Sequence, residues 1–458
     1  MSIEDLQSKL IPGARAHLVG IGGVSMSPLA EVLLGNGIIV SGSDEKESSV
    51  TERLRSLGIN VVIGHLPESV HGSDLIIRTA AVRDDNAEIA EAISLGIRVF
   101  ERAEAWGHLM RGYANAVCVA GSHGKTTTTS MVTQILLAAE ADPTVMIGGT
   151  LSSLGSGYRV GQGDTIVLES CEYYDSFHKF FPTVAVVLNV DADHLDYFGT
   201  LDNVKKSFAD FADLTPTNGK IICNADDDNT LDALRPLKRE LITFGFGHDA
   251  DIHPENITYD GHGSSFDIVC DDRVYAHVKL RVPGRHNVAN ALAATAVAFS
   301  LELPGEAVED GLTVFTGAGR RFEFKGTLNG ADIYDDYAHH PTELQMLLDT
   351  TLNLGYERVL LAFQPHTYSR TAAHFDTFVT ELKRPHKTFL AEIYAAREIN
   401  TYGVTSEDLV NAIPNATLYP DFSALQDALR AEARPGDLIL TVGAGELDKV
   451  AEAIAETR

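Results

Sequence analysis

Residues 116–130 read Ala-Val-Cys-Val-Ala-Gly-Ser-His-Gly-Lys-Thr-Thr-Thr-Thr-Ser, an apolar run that breaks into Gly121-Ser122-His123-Gly124-Lys125-Thr126-Thr127. A buried strand of this kind delivers a glycine loop whose backbone N–H groups wrap phosphate oxygens. The helix that follows turns its positive N-terminal end on the same anion. Lys125 supplies a point charge for the outer phosphates, and the Thr126 hydroxyl faces a magnesium ion. Val119 stands where a full Walker pattern has its first glycine. The context decides the reading: Met131, Val132, Ile135, Leu136 and Leu137 give the next segment an apolar helical face. The stretch is therefore read as a nucleotide-binding strand–loop–helix and not as a structural turn.

Strands and helices alternate on both sides of this loop, which predicts an α/β protein with mostly parallel sheets. Three segments are expected: residues 1–110 as a Rossmann-like domain, 111–315 as a central ATP-binding domain, and 316–458 as a second Rossmann-like domain. In the first, Ala16-His-Leu-Val enters the turn Gly20-Ile-Gly22-Gly23, with Asp44 ending the following strand. That is the dinucleotide fingerprint in outline, with Ser25 at its third glycine, and it implies a bound diphosphate. A β-rich insertion is expected near 241–283 and a helix over 287–299.

A formal charge of −28 argues against a nucleic-acid surface, since a phosphate backbone would be repelled. The four cysteines are too scattered for a zinc knuckle and too few for a disulfide framework, which fits a reducing cytoplasm. No apolar run approaches the roughly 20 residues that cross a bilayer, so no membrane insertion is expected. Met1–Asp5 lacks the basic region and apolar core of a signal peptide. The oligomeric state is not readable.

Two acidic clusters follow strand ends, Glu169-Ser-Cys-Glu172-Tyr-Tyr-Asp175 and Asp191-Ala-Asp193-His194-Leu-Asp196. Doubly wound sheets place ligands at this edge, so Thr126, Glu169 and His194 are candidates for one magnesium–phosphate centre. For a single acid in these runs, a solvated cap is the ordinary role. Asn287 and Asn290 lie three apart at a helix start, where Asn287 is by default an N-cap and the sharper alternative is a paired-amide grip on an adenine edge. Arg320-Arg321 opens the third segment, as surface charge or as phosphate ligands. His339-His340 lacks a third zinc ligand at the usual spacing. His366 and Arg370 lie on a loop where a small carboxylate can be gripped bidentately.

Together these strings resemble the Mur ligase family, ATP-dependent amide-bond-forming enzymes of peptidoglycan synthesis. Those that carry the resemblance include Ser41-Gly-Ser-Asp44, Gly121–Thr129, Asp193-His-Leu-Asp196, His286-Asn-Val-Ala-Asn290, Asp335-Asp-Tyr-Ala-His-His-Pro-Thr-Glu343 and Gln364–Thr371. Ser122 stands where the family commonly carries threonine. The resemblance implies a UDP-substrate domain, a central ATPase domain and a C-terminal amino-acid domain. It implies that L-alanine is joined to UDP-N-acetylmuramate through an acyl phosphate, with ATP and Mg2+. By the same resemblance Gly121, Ser122, His123, Gly124, Lys125, Thr126 and Thr127 hold phosphates, and Asn287 and Asn290 read adenine. Arg321 and Asp336 close on the nucleotide. Thr126 and Glu169 face one metal and His194 a second; Lys125, Glu169 and His194 form the catalytic set. Gly20, Gly22, Gly23, Asp44 and His65 cradle the UDP part, and Tyr337, His339, His366 and Arg370 take the amino acid. Two alternatives stay open at this point: a recycling ligase that attaches a whole tripeptide, and a nucleotide-gated binding module without ligase activity.

Overall fold

Side chains that alternate between two apolar faces dictate the architecture. In the computed structural model, residues 6, 9–79, 82–396 and 398–456 are described; Met1–Asp5 lies outside them. The first sheet is built from β1 (Arg15–Val19), β2 (Ile39–Asp44), β3 (Asn60–Ile63), β4 (Leu75–Arg78) and β5 (Arg98–Glu101). All pairs are parallel and the order is β3-β2-β1-β4-β5. The order reverses at β1, so the carboxyl ends of β1 and β4 flank the crevice where such sheets bind ligands.

The second sheet contains β6 (Asn115–Ala120), β7 (Thr144–Leu151), β8 (Ser156–Arg159), β9 (Thr165–Glu169), β10 (Val184–Val187), β11 (Lys220–Asn224) and β12 (Leu241–Phe244). Their order is β12-β11-β10-β6-β9-β7-β8, parallel except for the β7–β8 hairpin. β6 lies between β10 and β9, and Val117 through Ala120 are fully buried, as a strand covered on both faces must be.

The chain forms two compact units, and both sheets belong to the first, which comprises the chain through Ala192, Thr200–Ile252 and Ala293–Ala307. Within it, the Tyr158 hydroxyl on β8 donates to Glu31 at 2.5 Å, and the Arg53 guanidinium lies 5.3 Å over the Tyr158 ring.

The second unit comprises Asp193–Gly199, His253–Leu292 and the chain from Val308. It holds most of β13 (Ile252–Tyr259), with β14 (Ser264–Cys270) and β15 (Arg273–Leu280). The expected β-rich insertion is thus present, with β14 and β15 antiparallel. The third sheet contains β16 (Glu323–Leu328), β17 (Ala331–Asp336), β18 (Arg358–Phe363), β19 (Lys387–Leu390), β20 (Ala416–Leu418) and β21 (Asp437–Val442). Its order is β16-β17-β21-β18-β19-β20, parallel except for the edge strand β16.

Period-two alternation sorts the side chains of β21: Leu438, Leu440 and Val442 join Leu361 and Phe363 on one face, while Ile439 joins Ile333, Leu360 and Phe389 on the other. The helices that cover both faces, such as Pro341–Thr351 and Phe422–Glu432, make the sheet the middle layer of three.

Leu440 is fully buried in the central strand. Leu440→Ala is expected to cost about 3 kcal/mol, the range for a buried leucine truncation. The check is a lower urea midpoint for the transition of the second unit, at unchanged slope.

Candidate nucleotide and substrate sites

β6 ends in the loop Gly121–Gly124, and Gly124 at φ 84° starts the helix Lys125–Ala138. A left-handed residue is what lets the chain turn from strand into helix here, and glycine takes that conformation without strain. The loop is strapped to the segment after β10. Ser122 N–H donates to the Asn189 carbonyl (3.1 Å), and His123 N–H to Asn189 Oδ1 (2.8 Å). The Ser122 hydroxyl accepts from Asp191 N–H at 2.9 Å, so this residue serves the loop as an anchor.

Lys125 is the charge at the bottom of the loop. Its Nζ donates to the carbonyls of Gly121 (2.5 Å) and Ser122 (3.2 Å) and to Glu172 Oε2 (2.9 Å). Burial works against the ammonium, but the Glu172 carboxylate outweighs it and holds the lysine above its ordinary range. The Lys125 side chain is 15% exposed and that of Glu172 2%, so this is a buried pair. The sequence reading passed over Glu172. A lysine buried in such a loop is served by a carboxylate, and of the several acids past the neighbouring strands packing brings Glu172 to it.

The Thr126 hydroxyl donates to Glu169 Oε1 at 3.1 Å, so two predicted metal ligands sit side by side. Glu169 Oε2 accepts from Gly148 N–H on β7 at 2.6 Å. A side chain at Gly148 would overlap the Glu169 carboxylate, which explains the glycine there. Paired hard oxygens from a hydroxyl and a carboxylate match what magnesium takes from proteins.

In the first sheet, the N–H groups of Gly20 and Ile21 donate to the Ser43 carbonyl at 2.8 and 2.9 Å. Gly22 N–H donates to Asp44 Oδ2 at 2.8 Å and Gly23 N–H to the Gly20 carbonyl at 3.1 Å. The turn therefore gathers Gly20, Gly22, Gly23 and Asp44. His65 follows β3, and its Nδ1 lies 2.8 Å from the buried Glu88 Oε2. Ser25, the missing third glycine, has its own work: its hydroxyl meets Arg102 and its carbonyl accepts from Trp106 Nε1 at 3.3 Å.

The second unit carries the other candidates. Arg370 donates to Asp193 Oδ1 at 2.9 Å, and its Nη1 lies 3.1 Å from His366 Nδ1. Burial would raise the Asp193 carboxyl, but Arg370 holds it far below the usual carboxylate range. Burial pushes both His339 and His366 down to about 4, so they are neutral imidazoles near pH 7. The rings of Tyr337 and His339 lie 5.4 Å apart, and those of His339 and His366 5.6 Å, so the four amino-acid candidates form one cluster. Arg370 already has a carboxylate in Asp193, so a carboxylate ligand there shares or displaces it. His194 opens the short helix Leu195–Phe198 at φ 53°, its N–H on Asp193 Oδ1 at 2.7 Å.

Asp336 accepts from the N–H groups of Phe322 (2.8 Å) and Ala338 (2.7 Å), and burial raises it to about 6. Arg321 lies 5.0 Å over the Tyr337 ring. The helix expected at 287 begins at Arg285, so Asn287 is in its first turn and is not an N-cap. Its amide donates to the Pro283 carbonyl at 2.7 Å, and Asn290 reaches Asn287 Oδ1 at 3.4 Å. His340 caps the helix Pro341–Thr351, and Glu343 accepts from the N–H groups of His339 and His340 at 3.0 and 3.2 Å. The His-His-Pro-Thr-Glu string is thus a capping box.

Three family models match consecutive stretches: the Mur ligase family catalytic domain over 15–114, the middle domain over 119–298 and the glutamate ligase domain over 320–445. The chain belongs to the Mur ligase family. This Mur ligase is 44% identical over 447 residues to a UDP-N-acetylmuramate–L-alanine ligase of Caldanaerobacter subterraneus subsp. tengcongensis, covering 96% of this chain and 97% of that one. It is 42% identical to the enzyme of that name from Clostridium tetani, over 96% and 97% of the two chains. The UDP-N-acetylmuramate–alanine ligase structure from Thermotoga maritima superposes with a TM-score of 0.79 at 28% identity, covering 96% of this chain and 98% of the other. A murein peptide ligase from Psychrobacter arcticus shares the fold, at a TM-score of 0.71 and 23% identity, over 97% and 100% of the two chains.

Two substitutions test the loop of this Mur ligase. Gly148→Ala is expected to push Glu169 off Thr126 and weaken magnesium-dependent ATP binding about tenfold, as loss of an outer partner to a metal ligand does. Calorimetry with and without magnesium checks this; an unchanged affinity would detach Gly148 from the site. Glu172→Gln leaves the buried ammonium of Lys125 without its carboxylate, a loss of about 3 kcal/mol. The variant is expected to melt lower than wild type without nucleotide and to gain more than wild type on adding ATP, whose phosphates replace the missing charge.

Proposed function

We propose that this Mur ligase joins L-alanine to the lactyl carboxylate of UDP-N-acetylmuramate, in peptidoglycan precursor synthesis in the cytoplasm. One observation carries the substrate assignment: relatives named for this reaction match along 96% of the chain. Among the described residues no helix is long and apolar enough to cross a membrane.

The chemistry follows from the carboxylate being a poor electrophile, because its leaving group would be oxide. A carboxylate oxygen of the sugar attacks the γ-phosphorus of ATP, the bond to the bridging oxygen breaks, and ADP leaves. The alanine amine then attacks the acyl carbon, phosphate departs with the bonding pair, and the nitrogen loses a proton. The protein's task is positioning and charge neutralisation. In this reading Gly121, Gly124 and the ammonium of Lys125 hold the phosphates, with Ser122 and His123, whose N–H groups are taken by Asn189, and Thr127 shaping the loop. Thr126 and Glu169 would hold a magnesium ion, which supplies positive charge against the phosphates when bound; His194 is assigned to a second ion. Asn287 and Asn290 are assigned to adenine, and Arg321 and Asp336 to the nucleotide. Gly20, Gly22, Gly23, Asp44 and His65 are assigned to the UDP part. Tyr337, His339, His366 and Arg370 are assigned to alanine.

ADP is expected to form only when UDP-N-acetylmuramate and L-alanine are both present. ADP formed with a tripeptide and not with alanine would transfer the assignment to a recycling ligase, and none with either would leave a binding module. Lys125→Ala is expected to abolish acyl-phosphate formation from ATP and the sugar nucleotide, trapped as the hydroxamate. Full turnover in that variant would sink the mechanism.

A further inference from the structure

Glu88 is fully buried in the first unit, in the helix Ala87–Ser94, and none of the roles above uses it. Its carboxylate gathers three donors from three successive strands of the sheet. Oε1 lies 3.3 Å from His17 Nε2 on β1; Oε2 accepts from the Ser43 hydroxyl on β2 at 2.5 Å and lies 2.8 Å from His65 Nδ1, just past β3. Burial alone would raise the acid, yet the bonds from His17, Ser43 and His65 hold it below the ordinary glutamate range. His17 is in turn tied by Nδ1 to the Ser41 hydroxyl at 2.9 Å.

Two consequences follow from acceptor chemistry. A carboxylate only accepts, so the proton between it and His65 sits on Nδ1, and in the neutral ring the lone pair is on Nε2. Among the described residues, no protein group hydrogen-bonds that Nε2, while the ring is 26% exposed. Ser43, whose hydroxyl Glu88 grips, also presents the carbonyl that takes the N–H groups of Gly20 and Ile21. One buried acid thus reaches both halves of the edge assigned to the sugar nucleotide.

We propose that Glu88 is a positioning residue for the nucleoside-diphosphate site: it locks His65 in the Nδ1–H tautomer with Nε2 left for the ligand, and through Ser43 it holds the glycine turn in register. This rests on the assignment of the UDP part to Gly20, Gly22, Gly23, Asp44 and His65. Glu88 itself touches no substrate. Its action is on geometry, so its loss should fall on the sugar nucleotide and spare ATP and alanine.

The test uses the full-length enzyme labelled with 15N-histidine, at a pH where the His65 ring is neutral. Long-range proton–nitrogen spectra, with His65 assigned by its absence in His65→Asn, are expected to show the Nδ1–H tautomer in wild type. An Nε2–H tautomer there would overturn the proposal without any Glu88 variant having to fold. Calorimetry with UDP-N-acetylmuramate is expected to show about tenfold weaker binding for Glu88→Gln, with ATP affinity unchanged and the His65 signals moved toward the other tautomer. Weaker binding in both His65→Asn and Glu88→Gln supports the proposal. Weaker binding in His65→Asn alone overturns the role of Glu88 and leaves His65 at the ligand. Full binding in both removes His65 from the site and the proposal with it.

Discussion

The ammonium of Lys125 must be held in a nearly water-free loop, and much of the first unit is arranged around that constraint. A buried cation with no partner is costly, so the loop lends two carbonyls and the segment after β9 lends Glu172. The second contribution requires β6 and β9 to be neighbours and to end at the same edge, which their parallel register from Asn115↔Thr165 to Val119↔Glu169 provides. The same register delivers Glu169 to Thr126. The Lys125–Glu172 pair and the Thr126–Glu169 pair are therefore products of one strand pairing, while the loop itself is anchored to the segment after β10.

The fold was largely legible because its strands are buried on both faces and spell continuous apolar runs, as at 116–120 and 184–187. Among the pieces that sequence patterning leaves unmarked are β7, despite its Val145-Met-Ile147 run, and two strands without any such run. β8 is Ser-Gly-Tyr-Arg and half-buried throughout, and β20 is a three-residue Ala-Thr-Leu. With both β7 and β8 unmarked, the hairpin they form is not foreseen, nor is the amide of Gly148 that orients Glu169. The first turn of the helix at Arg285 also fell short of detection, which is why Asn287 looked like a cap.

At the sites, motif residues were visible and their internal partners were not. Lys125, Thr126 and Glu169 stand out as types at particular spacings, whereas Glu172 and Glu88 matter through where their carboxylates end up. Pairing across 47 and 23 positions is set by tertiary packing, which no local pattern encodes. The Arg370–Asp193 ion pair spans 177 positions and lies further still from sequence inspection. It also changes how Arg370 is viewed, from an open guanidinium to one already neutralised.

The β7–β8 hairpin reaches two places at once. From neighbouring positions across the hairpin, the amide of Gly148 grips Glu169 and the hydroxyl of Tyr158 grips Glu31, on the helix that leaves the glycine turn of the first sheet. Two hydrogen bonds and a short stretch of hairpin link the Glu169 carboxylate to the helix that follows that turn. The hairpin is in this sense a shared bracket: a substitution in it bears at once on the Glu169 carboxylate of the second sheet and on a helix packed on the first.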